Sequence, residues 1–316
     1  MPRFGLFPAA FGHSSGFNED RDDRGSKLKP FEYVAPGTAD EAVAILTKNG
    51  LNARIIAGGT DYLVELKHSS SVPKVVVDVS KLSELKGIDL TEQGLRIGSA
   101  VTHSEIMASP LVAEHALAMQ EAALTVGAVQ TRNLGTLGGN LVTCVPSLDS
   151  GPVLVALDAA VTLAGPKGRR TMPLTEFFVG PRKTALESGE LLVEILIPKE
   201  RLGRGCSFRK FGLRKGQALA LVNAAASLDL DKGKLTDVRI ALGAVAPTVI
   251  RAVTAEKLLN GKAPSEDLFA EAADIAVSEA KPINDFRASA DYRRDLIRAG
   301  TKRVLAEALT RAEGKS

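Results

Sequence analysis

Two glycine-paired segments about eighty residues apart, Ala57-Gly58-Gly59-Thr60-Asp61-Tyr62 and Gly135-Thr136-Leu137-Gly138-Gly139-Asn140, most constrain what this chain can become. Adjacent glycines beside small polar residues let main-chain N–H groups come close enough to a diphosphate to cradle it. Neither segment has the G-x-G-x-x-G or G-x-x-x-x-G-K-[ST] spacing, and neither pattern occurs elsewhere in the chain. A nucleotide held here is therefore held outside a Rossmann or P-loop turn. The first segment follows the strand-like Arg54-Ile55-Ile56. It precedes a helix predicted from Asp61 to Lys67 with Thr60 as N-cap, a natural anion site. Each segment alone also reads as a tight turn needing positive φ. Asp149, nine residues after Asn140, is able to accept from a ribose hydroxyl, and that pairing favours a binding site.

The 316 residues suit about two domains, and 45% hydrophobic with 24% charged residues is ordinary globular composition. A net charge of +3 and the absence of basic runs interleaved with aromatics argue against nucleic acid. No apolar stretch approaches the ~18 residues of a membrane span. Residues 1–28 lack the features of a secretory signal and read as a flexible extension. Cys144 and Cys206 are too few for a disulfide framework or for the ligand set of an iron–sulfur cluster, and a cytoplasmic location is expected. The four histidines have no metal-binding spacing, so no metal site is expected.

Along the chain, a short strand at 31–36 is followed by the capping box Thr38-Ala39-Asp40-Glu41 and a helix ending at Asn49-Gly50. Strands are expected at 74–79 and 95–98. A second capping box, Thr102-His103-Ser104-Glu105, opens a short helix, and a longer one is expected over 111–126. The second glycine segment is read as a turn, followed by a helix at 148–158, a hairpin at 161–172 and a strand at 192–197. Three antiparallel strands (206–213, 219–229 and 235–243) and three helices (253–259, 266–279 and 289–312) then form a separate α+β layer. The division expected is 1–28, 29–201 and 202–316.

The two glycine segments, Thr131-Arg132-Asn133-Leu134 before the second, and Ala288-Ser289-Ala290-Asp291-Tyr292-Arg293-Arg294 resemble the FAD-binding medium subunit of molybdenum hydroxylases. That family includes xanthine, carbon monoxide and nicotinate dehydrogenases. The resemblance runs in order from about Lys29 to Leu309. It implies an α+β fold, with an FAD domain of the vanillyl-alcohol-oxidase (PCMH) type in two α/β lobes and the family's C-terminal α+β domain.

By the same resemblance, Ile55, Ile56, Ala57, Gly58, Gly59, Thr60 and Asp61 wrap the FAD diphosphate. Thr136, Gly138, Gly139 and Asn140 make a second clasp, and Asp149 lies near the ribityl or ribose hydroxyls. Leu192 packs on the cofactor, and Val126 falls where relatives place an aromatic against the flavin. Lys210 matches a lysine near the isoalloxazine, where a cation stabilises the anionic reduced flavin; a surface lysine on a strand is the plain alternative. Tyr62 is open to flavin contact or to helix packing, and Thr143 and Ser147 to hydrogen bonding near the clasp or to loop capping. The cysteine-rich insertion of the 4-hydroxybenzoyl-CoA reductase type is absent, and Cys144 and Cys206 read as small buried hydrophobes.

The implied role is electron transfer within an oxidoreductase complex. A large partner chain carries the molybdenum cofactor, a small one carries two [2Fe–2S] clusters, and the whole is a dimer of heterotrimers. Electrons pass from the clusters through FAD to an external acceptor. The rival readings are a stand-alone FAD-dependent oxidase, poorly served by three tyrosines and no tryptophan, and a flavin-free scaffold. No catalytic acid–base residue is expected on this chain.

Overall fold

The computed structural model describes residues 30–69 and 72–314, so the extension expected at 1–28 lies outside the described residues. Strands Glu32–Val34, Val75–Asp78 and Ala53–Ile56 lie side by side in that order as a parallel sheet. The unbroken Val75-Val76-Val77 suits a strand covered on both faces, and all three valines are buried. Helix Ala39–Asn49 contributes Ala39, Ala42, Val43 and Leu46 to the same core. The Thr38 hydroxyl accepts from the Glu41 N–H at 3.1 Å. The Glu41 carboxylate reaches past Thr38 to accept from Gly37 at 2.7 Å, so the reciprocal half of this capping box is shifted by one residue.

A second lobe is built on an antiparallel sheet in the order Ile88–Leu90, Gly94–Gly98, Leu191–Pro198, Ala160–Gly165, Gly168–Pro173. Its central strand is the seam between the lobes. Leu191 and Val193 join the first lobe's core, while Leu192, Ile195 and Ile197 join the second's. A bulge between Leu192 and Glu194 reverses the alternation midway.

The helix expected over 111–126 is two helices, Pro110–His115 and Leu117–Thr125, broken at Ala116 (φ −151°, ψ 50°). The His115 carbonyl accepts from the Gly203 N–H at 2.9 Å instead of from the next helical turn. The Gln120 amide ties the break down by donating to the carbonyls of Met107 and Ser109. Thr60 is not an N-cap either: helix Tyr62–His68 starts after Asp61 and lacks a side-chain cap.

The second capping box forms as read. Thr102 accepts from the Glu105 N–H at 3.2 Å, and the Glu105 carboxylate accepts from Thr102 N–H at 2.6 Å. Thr102→Ala should lower stability by about 1 kcal/mol, read as a shift in the urea midpoint at unchanged slope.

The C-terminal portion has strands Gly205–Gly212, Ala220–Asp231 and Lys234–Gly243, extended by the short Ile250–Arg251. Lys232 and Gly233 both have φ near +50 to +75°, the twist that matches a two-residue hairpin. Helices Val253–Leu259, Glu266–Glu279 and Ala290–Glu313 cover one face, burying Val222, Ala224, Ala226 and Leu228. The other face belongs to the second lobe's core, through Phe208, Ala225 and Ala241. Buried Arg201 strengthens that junction by ion-pairing with both Asp158 and Asp237. The sheet is thus covered on both sides, and its inward residues reach the space between the lobes.

Candidate functional site

A cavity of about 460 Å³ opens where the two lobes and the C-terminal sheet meet. Its walls include every residue expected to touch the cofactor: Ile55 to Asp61, Val126, Thr136, Gly138, Gly139, Asn140, Asp149, Leu192 and Lys210, and also Tyr62, Thr143 and Ser147. The volume lies in the range of ordinary cofactor and ligand pockets.

The two glycine segments touch. A Cβ built on Gly58 would lie 1.9 Å from the Leu134 carbonyl oxygen, so only glycine lets the first segment close on the second. Gly59 holds φ +70°, a conformation glycine adopts without penalty. Gly138 serves packing in the same way, since its Cβ would sit 2.6 Å from that of Ser99.

The segments differ in what their amides do. The N–H groups of Gly58, Gly59, Thr60 and Asp61 have no hydrogen-bond partner among the described residues. The second segment is not a turn but the start of helix Leu137–Thr143. There, Leu137 donates to Val101 O, Gly138 to Ser99 O, Gly139 to the Thr136 hydroxyl and Asn140 to Thr136 O, all at 2.8–3.0 Å. The open amide cradle expected of both segments is present in the first alone, and the second supplies contour and side chains. Asn140 accepts from the Ser150 hydroxyl at 2.6 Å, and Thr143 donates to Gly139 O, so both are braced within the chain.

Lys210 and Asp149 form one unit. Lys210 lies directly opposite Asn223 in adjacent strands, which puts both side chains on the inward face. The Lys210 ammonium donates to Asp149 at 2.5 Å and to the Thr125 carbonyl at 3.0 Å; the Asn223 amide donates to the other Asp149 oxygen at 3.1 Å. Lys210 is thus a buried cation in the cavity wall, not a lysine on an open strand. Burial drives the Asp149 carboxyl above its usual range, against the pull of Lys210 and Asn223. With its carboxylate committed this way, Asp149 stands at the head of helix Ser150–Ala156 without capping it.

Two wall residues carry polar atoms without partners. The Tyr62 hydroxyl and His103 Nδ1 are sealed from solvent and unbonded among the described residues. Burial, and then the nearby Arg132 charge, holds the His103 imidazole at about 4, so the ring is neutral at neutral pH. Sequence reasoning considered His103 only as a metal ligand; its place inside a capping box was the available signal. Cys144 and Cys206 are both buried. Among the described residues no three His, Cys, Asp or Glu side chains gather in a metal-binding group, and no helix is long and apolar enough to cross a membrane.

Residues 29–200 match the FAD-binding domain of molybdopterin dehydrogenases. The chain belongs to this family. Residues 207–308 match the C-terminal domain of carbon monoxide dehydrogenase flavoproteins. The xanthine dehydrogenase FAD-binding subunit of Escherichia coli O157:H7 is 33% identical over 90% of this chain and 97% of its own length.

Among solved structures, carbon monoxide dehydrogenase from Hydrogenophaga pseudoflava lacking the Mo-pyranopterin moiety matches with a TM-score of 0.86 at 34% identity, covering 90% of this chain and 99% of that one. Quinoline 2-oxidoreductase from Pseudomonas putida 86 matches with 0.85 at 34%, with the same coverages. Three relatives named for different substrates are equally distant, so nothing in overall similarity favours one substrate. The chain is an FAD-binding oxidoreductase subunit of the molybdenum hydroxylase type, with the α+β fold expected.

The cavity fits that cofactor on its own evidence. A glycine-contoured row of open amides suits a diphosphate. The apolar Val126, Leu191 and Leu192 suit a flat ring, and the buried Lys210 retains a third N–H for a polar edge.

Proposed function

We propose that this chain is the electron relay of a three-chain complex. A large partner would carry the molybdenum cofactor and a small partner the [2Fe–2S] clusters, paired as a dimer of heterotrimers in the cytoplasm. FAD would supply two-electron storage with release to an external acceptor. The division proposed is an FAD-binding unit at 29–201 and a C-terminal unit at 202–316. The N–H groups of Gly58 to Asp61 would hold the diphosphate, with Ile55, Ile56 and Ala57 forming the strand that delivers them. Thr136, Gly138, Gly139 and Asn140 would close the opposite side by shape. Val126 and Leu192 would pack on the ring system, and Lys210, steadied by Asp149, would place positive charge at its polar edge. The chain's own residues bind, orient and exclude water.

The row of four unpartnered amides carries this reading, because open main-chain donors beside paired glycines match an anionic diphosphate better than any neutral ligand. The test is purification of the tagged chain from cells that express it at native level. The expected result is a visible flavin band, one FAD per chain, and co-elution of a larger molybdenum-containing chain with a smaller iron–sulfur chain. A flavin-bearing homodimer that turns over substrate with oxygen, alone, overturns it.

A further inference from the structure

We propose that His103 is a cofactor-binding residue, whose neutral imidazole donates a hydrogen bond from Nε2 to the diphosphate of FAD. The proposal rests on the reading of the cavity as an FAD site and adds a side-chain donor to its main-chain cradle. His103 lies where the two glycine segments converge. Its main-chain N–H donates to the Gly135 carbonyl at 3.1 Å, and the Thr60 hydroxyl and the ring carbon Cδ2 of His103 both come within 3.4–3.6 Å of where a Cβ on Gly135 would sit. That places it across the seam from the open amides of Gly58 to Asp61.

The residue is only 2% exposed, yet it lines the cavity. Neither ring nitrogen has a hydrogen-bond partner among the described residues. Buried imidazoles are ordinarily satisfied within the chain, so an unspent ring in a cavity wall points to a ligand that completes it. With Nδ1 sealed and without any partner, a proton there would find no acceptor, so the ring proton belongs on Nε2, which makes that nitrogen the donor.

The surroundings keep the ring uncharged. Helix His103–Ala108 packs against the helices Pro110–His115, Leu117–Thr125 and Val129–Leu134. Their ionisable groups are Glu114, His115, Glu121 and Arg132, and Glu121 is taken by Arg311. Arg132 is the group that bears on the imidazole, and its charge opposes a second one there. A neutral donor answers a diphosphate without that cost. Elsewhere on the wall, Lys210 bonds Asp149, Asp149 also accepts from Asn223 behind it, Thr136 accepts from the Gly139 N–H, and Asn140 accepts from the Ser150 hydroxyl.

The experiment uses the intact complex stripped of FAD. FAD titration by flavin fluorescence should show His103→Leu weakened at least 10-fold. His103→Gln, which keeps a donor of similar reach, should recover most of that loss. Nitrogen NMR of the labelled native protein, in the same titration, should show the Nε2–H shifting and its exchange slowing while Nδ1 stays bare. His103→Leu binding FAD within 2-fold of native, or an imidazole spectrum unmoved by FAD, overturns the assignment even if the leucine variant folds poorly. If native protein takes up FAD while the histidine signals stay fixed, the cavity reading survives and this inference alone falls. If native protein takes up no FAD, both fall together.

Discussion

Gly58→Ala is expected to abolish useful FAD binding, with affinity reduced about 100-fold or more, equivalent to about 2.7 kcal/mol. The added methyl would lie 1.9 Å from the Leu134 carbonyl oxygen and 2.5 Å from its carbon. Both are backbone atoms, so no rotamer change relieves the overlap. The segments must separate, which moves the open amides of Gly58 to Asp61 away from the second wall. Stability should also fall by about 1–3 kcal/mol, the usual cost of overpacking.

Gly59→Ala provides the comparison. Its strain comes from φ +70°, costing about 1–2 kcal/mol, and its new contacts are the flexible ends of Leu63 and Ile56. It should lose less affinity than Gly58→Ala. Fluorescence titration with FAD alongside urea unfolding separates the two effects. A Gly58→Ala protein that binds FAD within a few-fold of native would show that the seam is not what holds the cradle in place.

The residues expected to hold the cofactor lie in two short motifs and at a few isolated positions, and the structure brings all of them to the walls of one cavity, together with residues such as His103 and Ser99 that no binding motif marked. What they do there was only half legible. Paired glycines announce that something approaches the backbone closely, but not what. At Gly58 and Gly138 the close neighbours are Leu134 and Ser99 of this same chain. Two of the second segment's amides, those of Leu137 and Gly138, are spent on the carbonyls of Val101 and Ser99, contacts across more than 35 positions that no local pattern encodes.

Element types followed from periodicity and caps, and failed where a distant partner intervened. The Gly203 N–H that captures the His115 carbonyl breaks a stretch whose own composition is helical throughout. Short strands such as Ile88–Leu90 and Ile250–Arg251 carry too few residues to show alternation. The orientation of Lys210 was hidden for another reason. A lysine at an inward strand position makes sense only once Asp149, 61 residues earlier, is seen beside it.

That pair gives the second large effect. Lys210→Met should destabilise the protein by about 3–5 kcal/mol, the range for removing one partner of a buried ion pair. The methionine fills the stem's volume, so the loss comes from Asp149 left buried with only the Asn223 amide and its surroundings.

The sign of the pH dependence follows from the same burial. Asp149 already sits above its ordinary 3.8 because of desolvation, with Lys210 the first influence opposing it. Removing Lys210 raises it further, so the folded variant binds more protons than the unfolded chain. Stability then falls as pH rises from about 4 through the raised value. The deficit of Lys210→Met should therefore be largest at neutral pH and shrink in mild acid.

Asp149→Asn combined with Lys210→Met removes the stranded charge, and the double variant should regain a large part of the loss. The double-mutant cycle isolates the pair's coupling. Urea unfolding of the four proteins at pH 5 and pH 7.5 reads all of these effects. Equal deficits at the two pH values, or a double variant no more stable than Lys210→Met, would mean that Asp149 is not held as a buried anion by Lys210. The positive charge assigned to the flavin's polar edge would then lose its structural basis.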